Sequence, residues 1–302
     1  MSRGRILVIR GGAIGDFILT LPALAALRQQ FPQTHLALLG YPRVTALAEL
    51  AGSVNETRSI EARALAGFFA RRGELDAALG EWFGGFNIIV SYLYDPDSIF
   101  QENVARVSKA QFIPGPHRPD EAQNLHATEV FLKPLERLAI FGADPEPRLP
   151  LNSPPSTLNT LALHPGSGGA SKNWPEARWF ELLRRIADET NWRVLLVGGE
   201  AEDGRVQRLA SAVTTDRLRV AFNEPLPELA RQLAGCTAFA GHDSGITHLA
   251  AASGLRGIAL WGGTNAGIWR PRSGRFALLR SESGLEKLKT NAVFAAVTRL
   301  MS

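Results

Sequence analysis

Three stretches of this chain set glycines and a charged side chain directly after an apolar run, a pattern that can bind anions or move protons. The first is Arg10-Gly-Gly-Ala-Ile-Gly-Asp16, which follows Ile6-Leu-Val-Ile9 and opens a helical pattern. Glycines let a ligand approach the backbone closely, and a helix N-terminus favours negative charge. Asp16 has two readings there: the N-cap of that helix, or a carboxylate presented as a general base. A dinucleotide fingerprint does not fit. The spacing is Gly-Gly-x-x-Gly, and from Phe17 to Ala48 there is no Asp or Glu to hold a ribose. A nicotinamide-dependent oxidoreductase is disfavoured on that ground.

The second stretch is His164-Pro-Gly-Ser-Gly-Gly-Ala-Ser-Lys-Asn-Trp-Pro175. Free backbone N–H groups around Ser167 and Gly168, with Lys172 as a point charge, suit a phosphate. The order Gly-Lys-Ser/Thr of a P-loop is absent, and a flexible turn is the competing reading. The third is Gly241-His-Asp-Ser-Gly-Ile-Thr-His248, before the small-residue run 249–253. A helix N-terminus at a strand end suits a pyrophosphate, with Ser244, Gly245, Thr247 and His248 around it. Here Asp243 or Thr247 could simply cap the helix. Ser244 is one residue late for the hydrolase elbow, and the two histidines share no helix face for zinc. A fourth stretch, Val197-Gly-Gly-Glu-Ala-Glu-Asp203, offers a carboxylate for both hydroxyls of a ribose, Glu202 in preference to Glu200. Acids enriched in a first helical turn are the alternative explanation.

These loops need strand ends and helix starts to hold them, and the hydrophobic periodicity supplies both. Strands are predicted at 6–9, 35–39, 87–91, 161–164, 193–197, 237–240 and 257–261. Helices are predicted at 21–30, 44–50, 125–141, 175–189, 203–212, 227–233 and 247–252. Strand–helix alternation implies parallel sheets covered on both faces. Prolines 145, 147, 150, 154 and 155 interrupt it and read as a linker. The expectation is an α/β chain of two Rossmann-like, doubly wound parallel-sheet domains, 1–150 and 156–302. They would face each other across a cleft, with ligands at the carboxyl ends of the strands. The amphipathic stretch 285–300 is expected to pack back on the first domain.

Composition bounds the partners. The 302 residues are 45% hydrophobic and 21% charged, as in a soluble globular protein, and the formal charge is +4. Basic blocks such as Arg71–Arg72 are too short for a nucleic-acid arm, so no nucleic-acid partner is expected. A mildly basic surface also suits an anionic substrate or membrane. Cys236, the only cysteine, stands in an apolar run and reads as an inert buried thiol in a reducing compartment. The chain opens Met-Ser-Arg-Gly-Arg and only four apolar residues follow, too few for a signal peptide or a span. A cytoplasmic protein is expected.

Taken together, 15–24 (Gly-Asp-Phe-Ile-Leu-Thr-Leu-Pro-Ala-Leu), the His164-Pro-Gly-Ser…Lys172-Asn-Trp-Pro175 loop and 241–252 (Gly-His-Asp-Ser-Gly-Ile-Thr-His-Leu-Ala-Ala-Ala) resemble the ADP-heptose:lipopolysaccharide heptosyltransferases, glycosyltransferase family 9. The run Ile258-Ala-Leu-Trp-Gly-Gly-Thr-Asn265…Trp269-Arg-Pro271 resembles the family's closing motif, with Gly263 where a proline is common. The resemblance implies the GT-B architecture and an inverting transfer of heptose from ADP-heptose to the lipopolysaccharide inner core, with no metal and no cofactor. It implies Asp16 as the base and Lys172 against the donor's phosphate and sugar. It further implies Glu202 on the ribose, Asp243 on the heptose, and Ser244, Gly245 and His248 about the diphosphate. On the acceptor side Gly12 and Ala13 are expected, with Arg63 and Arg118 as candidate anion contacts. The implied partners are the nucleotide-sugar and an anionic glycolipid, met by a monomer that touches the cytoplasmic face of the inner membrane. A GT-B enzyme for another nucleotide-sugar or surface glycan is the alternative.

Overall fold

A computed structural model describes residues 4–151, 158–169, 172–202, 204–211, 213, 215–281 and 284–302. The expectations for residues 1–3, Pro154, Pro155, Ala170, Ser171, Asp203 and Ala212 lie outside the described residues. The chain forms two compact units that divide between Pro145 and Glu146. The expected limits stood later, at 150 and 156. The Leu149 N–H donates to the Ala252 carbonyl at 2.8 Å, which ties residue 149 to the second unit.

The first unit is built on strands β1 (Arg5–Arg10), β2 (His35–Gly40), β3 (Glu56–Ser59), β4 (Ile88–Ser91) and β5 (Gln111–Pro114), in the order β3-β2-β1-β4-β5. All four pairings are parallel. A parallel sheet is covered on both faces, so its central strands are continuous apolar runs. Leu7, Val8 and Ile9 are accordingly fully buried, as are Leu38 and Leu39. Helices α1 (Ile14–Ile18), α2 (Leu21–Gln30), α3 (Pro42–Leu50), α4 (Ala77–Gly84), α5 (Ile99–Ala105) and α6 (Ala127–Leu132) complete the unit. The single helix expected over 125–141 is α6 followed by a 3-10 turn, Lys133–Leu138. Pro134 has no N–H to continue the α-helical ladder, and the chain tightens there.

The second unit carries β6 (Thr160–His164), β7 (Arg193–Gly198), β8 (Leu218–Phe222), β9 (Ala238–His242), β10 (Arg256–Trp261) and β11 (Phe276–Arg280). Their order is β11-β10-β9-β6-β7-β8, again all parallel. The helices are α7 (Glu176–Glu189), α8 (Arg205–Ser211), α9 (Leu226–Ala234), α10 (Gly245–Ala252), α11 (Ala266–Trp269) and α12 (Thr290–Met301). Trp179, Leu182, Leu183 and Ile186 recur at helical spacing on α7 and are buried. Each contributes about 1.5–3 kcal/mol through burial.

Helix α12 packs within the second unit. Val293, Ala296, Val297 and Met301 bury in the same core cluster as the apolar face of α7, so this face is spent within the second unit. The helix also starts later than expected, because 285–287 is a 3-10 turn and Leu288 is extended. Among the described residues no helix is long and apolar enough to cross a membrane.

Both sheets reverse strand order once, between β1 and β4 and between β6 and β9. Ligands of doubly wound sheets bind outside the strand ends at such a point. The Asp16 loop follows β1; the Lys172 and Asp243 loops follow β6 and β9.

Candidate active site

In the first unit the chain leaves β1 through Gly12, whose φ of +99° belongs to the left-handed region. A Cβ at Gly12 would lie 2.9 Å from Asp16 Oδ2, so glycine lets the loop close over the carboxylate. Asp16 is not the N-cap; Ala13 is, and Asp16 occupies the third helical position. Its Oδ2 accepts from the Ala13 N–H at 3.0 Å, which fixes the side chain while leaving it about a quarter exposed. The carboxylate thus accepts a hydrogen bond at the start of α1 and still reaches solvent.

Beneath it lies Arg10, 2% exposed. Its guanidinium donates to the backbone carbonyls of His117 at 2.9 Å and Asp16 at 3.2 Å, and stands 3.9 Å from Asp16 Oδ1. The Phe131 ring covers it at 4.4 Å. Burial pulls Arg10 below its ordinary value while Asp16 opposes this, and arginine stays charged regardless. His117 is also held below its usual range, first by desolvation and then by Arg118 and Arg10. Arg118 is the next residue along the chain from His117, whose carbonyl Arg10 holds. Arg63 instead stands exposed at the start of a 3-10 helix, Arg63–Phe69, and no hydrogen bond or ion pair joins it to the Asp16 loop.

In the second unit the neighbouring ends of β6 and β9 bring two loops together. Lys172 Nζ donates to Asp243 Oδ2 at 2.6 Å, with the lysine side chain 40% exposed and the aspartate 9%. Ser244, not Asp243 or Thr247, is the N-cap of α10, and its Oγ accepts from the Thr247 N–H. Thr247 lies inside the first turn and donates its hydroxyl to the His242 carbonyl. His248 is buried in the same turn. Ser167 is buried and its Oγ lies 2.9 Å from both the Gly169 carbonyl and Asn173 Oδ1, which shapes the loop. A Cβ at Gly168 or Gly169 would meet nothing within 4 Å. A side chain at either position would thus enter open space.

Glu202 follows β7, the strand beside β6, in a 3-10 turn, Glu200–Glu202. One oxygen accepts from the Gly199 N–H at 2.9 Å and lies 3.8 Å from His164 Nε2. Burial pushes this carboxyl up, yet His164, the Gly199 N–H and Arg205 hold it below its ordinary value. His164 in turn places Nδ1 3.2 Å from Ser244 Oγ. One buried imidazole thus joins the Glu202 turn to the start of α10. Lys172, Asp243 and the α10 N-terminus thus meet at the ends of β6 and β9, with the Glu202 carboxylate after β7 beside them.

Arg10, His164, Arg205 and His242 were not singled out from the sequence as site residues. Arg10 had a signal, a charge directly after the apolar run 6–9. Arg205, whose guanidinium donates to the Pro165 carbonyl at 3.1 Å, had only its place beside the acidic stretch. In the closing motif, Trp261 Nε1 donates to the Thr264 carbonyl and Asn265 caps α11, and nothing crowds the Gly263 position. Cys236 is half-buried, and burial pushes its thiol up to about 12, which keeps it unreactive. Among the described residues no group of three or more His, Cys, Asp or Glu side chains could hold a metal ion.

The family model of glycosyltransferase family 9 (heptosyltransferase) matches residues 144–295. Lipopolysaccharide heptosyltransferase 1 of Pseudomonas aeruginosa is 33% identical over 155 residues, 51% of this chain and 42% of that protein. The matched stretch thus spans under half of that relative. A glycosyltransferase family 9 structure from Veillonella parvula superposes with a TM-score of 0.82 at 18% identity, covering 99% of this chain and 97% of that one. The E. coli heptosyltransferase WaaC with ADP gives 0.75 at 20% identity, covering 98% and 99%. Likeness at this identity establishes the fold, GT-B with two Rossmann-like parallel-sheet units.

Proposed function

Because the chain belongs to glycosyltransferase family 9, we propose that it transfers heptose from ADP-heptose to the lipopolysaccharide inner core, onto lipid A–Kdo or the first core heptose. The observation that carries this reading is the convergence of Lys172, Asp243 and the Ser244-capped helix at the β6/β9 switch point. In this reading the diphosphate lies at the α10 N-terminus, within reach of Lys172, and the ribose hydroxyls meet Glu202. Asp243 holds the heptose.

The transfer proceeds with inversion. Asp16 takes the proton of the acceptor hydroxyl as its oxygen attacks the anomeric carbon, and the bond to ADP breaks on the opposite face. The leaving charge is met by the lysine ammonium and helix N–H groups, so the scheme uses no metal ion. The acceptor, an anionic glycolipid, is received by the first unit beside Gly12 and Ala13, with Arg118 contributing positive charge. The enzyme works as a monomer at the cytoplasmic face of the inner membrane.

A donor screen tests this reading. Free nucleotide is measured after incubation with ADP-heptose, with other ADP- and UDP-sugars, and with each acceptor. Release confined to ADP-heptose with a heptose-accepting core glycan supports it. Release from a different nucleotide-sugar moves the enzyme to another glycan, and tight binding of a nicotinamide dinucleotide would overturn the class.

A further inference from the structure

His242 ends β9 one residue before Asp243, and its ring is completely buried. Nε2 accepts from the Trp174 N–H at 2.7 Å, and Nδ1 lies 3.2 Å from the Gly166 carbonyl. A backbone N–H only donates and a carbonyl only accepts, so the proton must reside on Nδ1. The neutral ring is then satisfied on both sides. Gly166 and Trp174 bracket the Ser167 to Asn173 segment, so the imidazole is a cross-tie over the mouth of that loop. Trp179 packs edge-to-face with the ring, centroids 5.3 Å apart.

We propose that His242 is a positioning residue for the donor: its ring ties both arms of the 166–174 loop to the end of β9 and sets where the Lys172 ammonium stands. Lys172 is two residues from one tied point, and Asp243 is bonded directly to His242. One side chain therefore controls the register of the two charges that meet at 2.6 Å. Burial pushes the imidazole down to about 3, with the Gly166 carbonyl opposing, so the tie stays neutral at working pH. The inference rests on the reading of this loop as the donor's diphosphate site.

His242→Phe keeps a planar ring against Trp179 and removes both hydrogen bonds; His242→Gln keeps an acceptor for the Trp174 N–H. The measurements are amide hydrogen exchange over 172–174, ADP titration by calorimetry, and steady-state kinetics of transfer. In H242F the Trp174 amide should exchange faster and the Kd for ADP should rise about tenfold. The rise in donor KM should exceed the fall in kcat, and H242Q should recover part of each. ADP affinity unchanged in folded H242F, unchanged exchange, or a loss confined to kcat would each overturn the proposal. Should H242F fail to fold, His242→Leu removes the same two hydrogen bonds in its place, and native ADP affinity in that variant overturns the proposal. Native protein that ignores ADP sinks the donor reading, a failure distinct from native binding that H242F leaves intact.

Discussion

The ammonium of Lys172 and the carboxylate of Asp243 meet at 2.6 Å across 71 positions of sequence, joining the loops that follow β6 and β9. With the lysine side chain 40% exposed, such a pair is worth no more than about 1 kcal/mol. In the proposed reading a diphosphate competes with Asp243 for the ammonium. Asp243→Asn should therefore raise affinity for ADP several-fold at low salt while transfer of the sugar falls. Lys172→Ala should weaken ADP binding by about tenfold. Calorimetry at two ionic strengths checks both, and equal affinity in all three proteins removes the lysine from the phosphate site.

Asp16→Asn preserves an acceptor for the Ala13 N–H and so keeps the start of α1 intact. In the proposed mechanism it removes the group that takes the proton. Transfer should fall by about 10²- to 10⁴-fold, with ADP affinity and Tm near native. Normal turnover by this variant would reassign the base.

The glycines of the two loops should respond differently to alanine. At Gly12 a Cβ meets Asp16 Oδ2 at 2.9 Å on a φ of +99°, so Gly12→Ala should cost about 1–3 kcal/mol and lower kcat by displacing the carboxylate. At Gly168 a Cβ meets nothing within 4 Å, so Gly168→Ala should leave Tm unchanged and weaken ADP binding alone. Thermal melts and titrations of the pair separate fold from ligand. Loss of Tm in G168A would show that this glycine serves the fold.

Edge strand β3 is held by Glu56, which accepts from His35 at 3.0 Å, Arg58 at 2.9 Å and Trp82 Nε1 at 2.9 Å. Burial pushes its carboxyl up, but these partners hold it below its ordinary value. A depressed carboxylate stabilises the fold above its unfolded value, near about 4.3, and that stability is lost as pH falls through the folded value. The Tm of native protein should therefore fall more steeply than that of Glu56→Gln below about pH 5. Parallel acid limbs would show that Glu56 is not linked to folding.

The strands that form the sheet centres were legible because a parallel strand buried on both faces is an unbroken apolar run. Glu56-Thr-Arg-Ser59 and Gln111-Phe-Ile-Pro114 were not, since short edge strands keep polar residues and no alternation. The glycine loops were legible from charge beside glycine. Which residue caps α10 was not: Asp243, Ser244 and Thr247 are all capping types, and extended geometry at Ser244 decides. His242 was read only as a failed metal ligand. Its bonds reach backbone atoms 68 and 76 positions away, and no local pattern records such partners.

The all-parallel order of the second sheet also governs when its site exists during synthesis. Strands β6, β7 and β8 emerge in sequence and can pair outward at once, but β9 must return to the free side of β6, placing Ala238 beside Leu161. Until that late crossover closes, the Lys172 loop has neither the His242 ring nor the Asp243 carboxylate to hold it. Long-range parallel pairing is slow. A nascent chain stalled before residue 238 thus carries the Lys172 loop without the partners that hold it.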